Sequence, residues 1–153
     1  MAKETSTGVK VSCVQGEPAT FDQLGFEALT FTQIKQVTNI PTFGPEIQVV
    51  TSEPLETGIT EKFIGFVNYG STSIEADLDD EDAGQALALN ACTPGDASFG
   101  ASFSFKIEYA SGAVRYFVGK FFSANETPGS ANSMIGTAMN LEINSKILKV
   151  AAA

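Results

Sequence analysis

Alternation of apolar and polar positions dominates this chain. In Ser71–Leu78, Thr72, Ile74, Ala76 and Leu78 fall on one side and Ser71, Ser73, Glu75 and Asp77 on the other, the period-two signature of a half-buried strand. Ala101–Ala110 repeats it, with Phe103, Phe105, Ile107 and Tyr109 opposing Ser102, Ser104, Lys106 and Glu108. Ser111-Gly112 then signals a two-residue hairpin into Val114–Phe122. Met134–Asn144 is a long closing strand, with Ile135, Met139, Leu141 and Ile143 expected inward and Gly136, Asn140 and Glu142 outward. Glu46–Ser52 sets Ile47, Val49 and Thr51 against Glu46, Gln48, Val50 and Ser52. Leu29–Asn39, rich in Thr, Ile, Val and Phe, suits one more strand and stops at Pro41.

Three stretches depart from this pattern. Residues 1–27 have weak periodicity and read as an N-terminal arm with at most one short strand, Val9–Val14. Asp79–Asn90 is the one convincing helix. Asp79 or Asp80 can cap it, Ala83, Ala86, Leu87 and Asn90–Ala91 form an inward stripe, and Thr93-Pro94-Gly95 ends it. Glu53–Gly70 mixes Pro54, Gly58, Gly65 and Gly70 with the apolar run Phe63, Ile64, Phe66, Val67, and is either a hairpin or a loop that exposes hydrophobic surface. On a monomer that surface is a liability, and in an assembly it is a contact. The pattern predicts a mainly β single domain of six to eight strands: two packed antiparallel sheets, sandwich- or barrel-like, with one flanking α-helix. Ala101–Ala110 and Met134–Asn144 are long and lack proline. They read as unprotected edges available for pairing with other copies.

Composition narrows the chemistry. At 153 residues the chain forms one domain with a core that needs no metal or disulfide staple. The 18 acids against 9 bases leave a net charge of -9, which repels nucleic acid and anionic membrane rather than gripping them. With no histidine, Ser-His-Asp and Cys-His relays and histidine metal ligands are excluded. Cys13 and Cys92 read as free thiols in a well-filled core. No signal peptide and no apolar run of membrane-spanning length is expected.

The loudest cluster is Glu75, Asp77, Asp79, Asp80, Glu81 and Asp82. Asp77-x-Asp79-x-Glu81 imitates the start of a calcium loop. The pattern then fails, because Asp82 stands where Gly is needed and Ala88 where a bidentate Glu is needed. A strand followed by an acidic helix start accounts for it. No carboxylate pair is singled out for hydrolysis, and Gly95 and Gly100 lack the Lys of a phosphate loop. The 12 phenylalanines alternate with polar residues as sheet core does. No metal, cofactor or catalytic residue is expected, and the chain does not read as an enzyme.

Several segments, in order and spacing, resemble the tail tube (major tail) proteins of long-tailed, non-contractile, lambda-like bacteriophages. They are IKQVTNIPTFGPEIQVVTSE (Ile34–Glu53), GSTSIEADLDDEDAGQALALNA from Gly70, and FKIEYASGAVRYFVGKFFSA (Phe105–Ala124). The likeness runs from about Phe31 to Leu148 and rests on no single specific motif; some relatives add an immunoglobulin-like domain. The resemblance implies two orthogonally packed sheets with a helix at the side. It implies homohexameric rings that join their inner sheets into a continuous barrel and stack into a hollow tube. It also implies a virion structural protein assembled in the host cytoplasm, with a tape-measure protein in the lumen and tail terminator and distal tail proteins at the ends. Double-stranded DNA passes through without specific binding.

In that setting residues 53–70 become the loop that contacts the next ring, through Glu56, Phe63, Ile64, Phe66 and Val67, and the arm and residues 146–153 bridge subunits. A carboxylate-lined lumen lets a duplex slide. Its candidate lining is Gln48, Ser73, Glu75, Asp77, Asn140 and Glu142. The tube protein of a contractile injection or type VI secretion system, a soluble β-barrel holding a small ligand, and a carboxylate-dependent hydrolase stay open as alternatives.

Overall fold

The computed structural model describes residues 3–152. Of the expected arm and tail, Met1, Ala2 and Ala153 lie outside the described residues. In chain order the elements are β1 (Lys10–Gln15), α1 (Gln23–Glu27), β2 (Thr32–Ile34), β3 (Val37–Asn39), β4 (Glu46–Ser52), β5 (Glu61–Asn68) and β6 (Ser71–Asp77). They continue with α2 (Ala83–Ala91), β7 (Phe103–Glu108), β8 (Val114–Thr127), β9 (Gly136–Ile143) and β10 (Leu148–Val150). The architecture is the expected one, mainly β with two antiparallel sheets and a helix at the side. Eight strands form one sheet in the order β2-β1-β7-β8-β9-β6-β3, with β10 also on β8, while β4 and β5 form the other.

The order of the large sheet dictates its shape. Its two edge strands, β2 and β3, are separated in sequence by only Lys35 and Gln36, a link that spans about 10 Å at most. The edges must therefore meet, and the sheet rolls into a barrel around its own apolar face. Gln36 turns the corner at φ 64, the left-handed region that costs a non-glycine residue strain. Its carbonyl accepts the Asp77 N–H at 2.9 Å. Leu29–Asn39 is thus two short strands on opposite edges, not one.

Inside, Phe103, Phe105, Phe117 and Phe121 pack ring on ring, with three of their contacts at 5.2 Å between centroids. Ile34, Ile74, Ile107, Met139 and Leu141 complete a core with almost no exposed surface. Each such side chain contributes roughly 1.5–3 kcal/mol by leaving water. The outer face of β8 is covered too. Phe26 of α1 stacks on Tyr116 at 4.9 Å, beside Val118.

Several expectations are corrected. The arm's strand, β1, is central, pairing β2 on one side and β7 on the other. The short helix α1, capped by Asp22, was not foreseen. Ala101–Ala110 and Met134–Asn144 contain no edge strand: β7 lies between β1 and β8, and β9 between β8 and β6. Ile135 precedes β9 and is exposed, and the inward position next in phase is Thr137. The β7–β8 link is a three-residue turn, with Gly112 N–H donating to the Tyr109 carbonyl at 2.9 Å and Gly112 at φ 97. β8 continues past Phe122 to Thr127, and β10 adds a strand within the expected tail.

The helix starts later than expected because Asp82, not Asp79 or Asp80, is its N-cap. The buried face is Gly84, Gln85, Ala88 and Ala91, rotated from the expected stripe. The reason is close approach: a Cβ on Gly84 would sit 2.4 Å from the Gln33 carbonyl oxygen, so glycine lets the helix lie against β2.

Candidate assembly surfaces

The acidic cluster resolves into local structure. Asp82 Oδ2 accepts from the Gln85 N–H at 2.9 Å and the Lys35 N–H at 3.2 Å. The Gln85 side-chain amide donates to the carbonyls of Lys35 and Asp77, at 3.1 and 2.9 Å, and its oxygen accepts from the Asp79 N–H. Buried polar groups are thereby satisfied, and the pair clamps the barrel corner to the helix. Asp79 turns back on the Glu81 N–H. Among the described residues no group of three or more His, Cys, Asp or Glu side chains converges on a metal position.

Two surfaces remain that the barrel does not use. The first is the β4–β5 hairpin. Register places Ile47 opposite Val67 and Val49 opposite Ile64, all on one face. Glu46, Gln48, Ser52 and Glu61 lie on the other face with the pair Val50 and Phe63. All of β4, and all of β5 but the half-buried Gly65, is exposed. Ile64 reaches 79%, Phe66 86% and Leu55 in the turn 100%. A two-stranded ribbon with no covered face is marginal in water, and this one carries a continuous apolar stripe. The expected contact residues Phe63, Ile64, Phe66 and Val67 are all on β5, and Glu56 is in the turn. Ile47 and Val49 complete the stripe. The alternation of Glu46–Ser52 had already put them on one side, but only the register shows that they join Ile64 and Val67.

The second is the outward face of β6 and β9. Ser73 pairs with Asn140, Ser71 with Glu142, and Glu75 and Asp77 lie on the same side of β6. Five of the six expected lining residues are thus brought together, while Gln48 sits apart on the hairpin face that carries Glu46, Val50 and Phe63. Glu75, Asn140 and Glu142 are exposed; Ser73 and Asp77 are half-buried. Asn39 donates its side-chain amide to Glu75 at 2.9 Å. Lys120, which pairs with Glu142 across the sheet, was not foreseen and tempers the acidity of this face.

The barrel interior is filled by aromatic rings, so the cavities are surface hollows. They include a groove of about 720 Å³ between the β3–β4 segment and β10. No helix among the described residues is long and apolar enough to cross a membrane. Cys13 and Cys92 are free thiols. Burial, helped by the negative charge of Asp82, pushes the Cys13 thiol up to about 12.

No family model and no curated protein matches this sequence. Solved structures do. A chain of the six-fold symmetrised anti-feeding prophage baseplate matches with a TM-score of 0.69 at 10% identity, covering 99% of this chain and 98% of that one. A chain of the sheath/tube terminator of an extracellular contractile injection system in its extended state gives 0.67 at 9%, covering 99% of both. The tail of an empty gene transfer agent particle, refined with C6 symmetry, gives 0.65 at 16%, covering 97% of this chain and 100% of that one. This chain shares their fold from end to end.

Proposed function

We propose that this chain is a structural protein of a phage-like tail, and that its copies join into hexameric rings which stack as a hollow tube. The observation that carries the reading is the β4–β5 hairpin, an apolar stripe of Ile47, Val49, Ile64 and Val67 with nothing over it. An exposed patch of this kind marks an interaction site, and a contact between unlike surfaces of identical chains closes into a ring or grows into a filament. The shared fold supplies the kind of assembly, since the similar chains come from tail, baseplate and terminator structures with six-fold or C6 symmetry among them.

In this tube the hairpin joins neighbouring copies. Ser73, Glu75, Asp77, Asn140 and Glu142 line the lumen with Gln48, and the net charge of -9 keeps a passing duplex from sticking. The tape-measure protein occupies that lumen before ejection, terminator and distal tail proteins bound the tube, and the site of action is the virion. The contractile alternative has its own observation in the contractile injection system chain. Copurification with a sheath protein selects it over the lambda-like tail.

Negative-stain microscopy of the purified protein at high concentration tests the reading. Hollow tubes or six-membered rings are expected, and a monodisperse monomer overturns it. Replacing Glu75 and Asp77 with lysine should leave tubes intact and impair genome delivery; unchanged delivery removes both residues from the lumen.

A further inference from the structure

The sheet places two like charges directly opposite each other. Lys149 of β10 pairs with Arg115 of β8, an arrangement that disfavours the strand pair unless an anion lies nearby. Both line the groove of about 720 Å³, together with Lys146, Phe43, Tyr69 and Tyr109. Three of the nine basic residues of an acidic protein thus share one hollow. Arg115 lies 5.1 Å from the centre of the Tyr109 ring and gives Nη1 to its neighbour's carbonyl, that of Val114. Among the described residues no carboxylate reaches ion-pair distance of the three cations; the ion pair found is Lys106–Glu108. Glu4 borders the adjoining hollow, where Arg115 and Lys149 also lie, but both its oxygens accept from Ser111, at 3.2 and 3.1 Å.

The complementary surface is the hairpin tip. Glu53-Pro54-Leu55-Glu56-Thr57-Gly58-Ile59-Thr60-Glu61 holds three carboxylates around two exposed apolar side chains, Leu55 at 100% and Ile59 at 66%. The turn is preformed by the Gly58 N–H on the Pro54 carbonyl at 3.1 Å, which lowers the cost of ordering it on binding. The tip does not reach the groove of its own chain. Gly44, Pro45 and Tyr69 of the groove stand at the base of the hairpin. Seven extended residues of β4 put the tip about 23 Å beyond them.

We infer that the groove of Arg115, Lys146 and Lys149 receives the acidic tip, residues 53–61, of a second copy of this chain. The carboxylates meet the three cations, and Leu55 and Ile59 lie on Phe43, Tyr69 and Tyr109. Socket and plug sit at opposite ends of one hairpin, so the contact is head-to-tail and repeats from copy to copy. Lys62, beside the tip, remains outside the socket. The inference rests on the self-assembly reading and names the joint it uses.

Two measurements separate the joint from that reading. In the first, a wild-type peptide of residues 52–62 is titrated into the full-length Glu53→Lys/Glu56→Lys/Glu61→Lys protein, whose sockets its own reversed tips leave free, and followed by NMR. Saturable shifts are expected at Ile147 and Lys149, at least tenfold weaker in Arg115→Glu/Lys149→Glu and in about 0.5 M salt, which screens charges beyond a few ångströms. Absence of binding, or binding indifferent to the double reversal, overturns the socket whether or not the protein assembles. In the second, Arg115→Glu/Lys149→Glu and Glu53→Lys/Glu56→Lys/Glu61→Lys, each shown folded by circular dichroism, are sedimented alone and mixed. Each alone should lose assembly. The equimolar mixture should regain it, because each plug now meets an opposite socket. Assembly of either variant alone at the wild-type level, or a mixture that stays dispersed where wild type pellets, overturns the inference and leaves the tube reading standing.

Discussion

The rolled barrel and the β4–β5 hairpin are built from the same alphabet of alternating apolar and polar residues, and they end in opposite states. In the barrel, Phe105 on β7 meets Phe117 on β8 across the sheet and Phe121 in the core, and none exceeds 4% exposure. In the hairpin, Val49 meets Ile64 just as directly, and they are 61% and 79% exposed. Cross-strand pairs are therefore formed in both, whereas burial is complete in one. Hydrogen-bonded register is set within the chain, but the hydrophobic contribution that holds a sheet against its unfolding entropy comes from covering a face. The barrel covers its own by closing on itself through Lys35 and Gln36. The hairpin has no such closure, and in the proposed assembly its missing layer comes from another copy.

The sharpest way to test the contrast on the barrel side is Phe117→Ala. The side chain is fully buried between Phe105 and Phe43, and its loss should cost about 3–5 kcal/mol through transfer and cavity terms. Urea denaturation of the unassembled protein reads this as a lower midpoint at unchanged slope.

Alkaline pH probes the same interior more gently. The Cys13 thiol is held up to about 12 from an ordinary 9.0, first by burial and then by Asp82. The folded state holds this proton after the unfolded state has lost it, so the thiol's contribution is intact below pH 9 and falls as pH rises from 9 toward 12. By about pH 10.5 the loss approaches roughly 2 kcal/mol. Stability of wild type against Cys13→Ala across this window should converge with rising pH. Parallel curves would mean that the thiol is solvated.

The clamp at the barrel corner comes next. Asp82→Ala leaves the N–H groups of Gln85 and Lys35 without their acceptor, at a cost of about 1–2 kcal/mol. Asp82→Asn should recover part of it, since an amide oxygen can still cap. Equal loss in both variants would assign the effect to charge rather than to capping.

The strands of both regions were legible because periodicity is local: Ser71–Leu78 and the phenylalanines of Ala101–Ala110 announce which side is buried. Neighbours were not legible. Nothing in the length or lack of proline of Met134–Asn144 tells that β6 and β8 flank it, because pairing is decided by how the whole sheet rolls. The corner at Gln36 was hidden for a related reason, since a glutamine carries no signal for positive φ and is held there by Asp77, with Asp82 and Gln85 gripping the backbone of the adjacent Lys35 from distant sequence. The cap was available: Asp82 three residues before Gln85 has the spacing of a capping pair, but the five other acids of the cluster masked it. The cationic groove combines β8, β10 and the segment after β3, and only the fold assembles it. The apolar run Phe63–Val67 was readable as unusual, and the hairpin bears that out by leaving it uncovered.

The smallest effect on folding is expected where the contrast is greatest. Ile64→Ser/Phe66→Ser replaces two large apolar side chains that are 79% and 86% exposed, so little area returns to water on unfolding. The denaturation midpoint should stay within about 0.5 kcal/mol of wild type, as for most surface changes. Assembly should respond in the opposite sense. Buried against a neighbour, each side chain is worth roughly 1.5–3 kcal/mol, so removing the pair weakens each contact by about a hundredfold or more. Sedimentation should then leave the variant in the supernatant while circular dichroism shows it folded. A variant that still pelleted would mean that Ile64 and Phe66 are not contacts. One that lost several kcal/mol of stability would mean that the hairpin already folds against its own barrel. Either result would erase the distinction between the finished and unfinished sheets, and with it the ground for the proposed self-assembly.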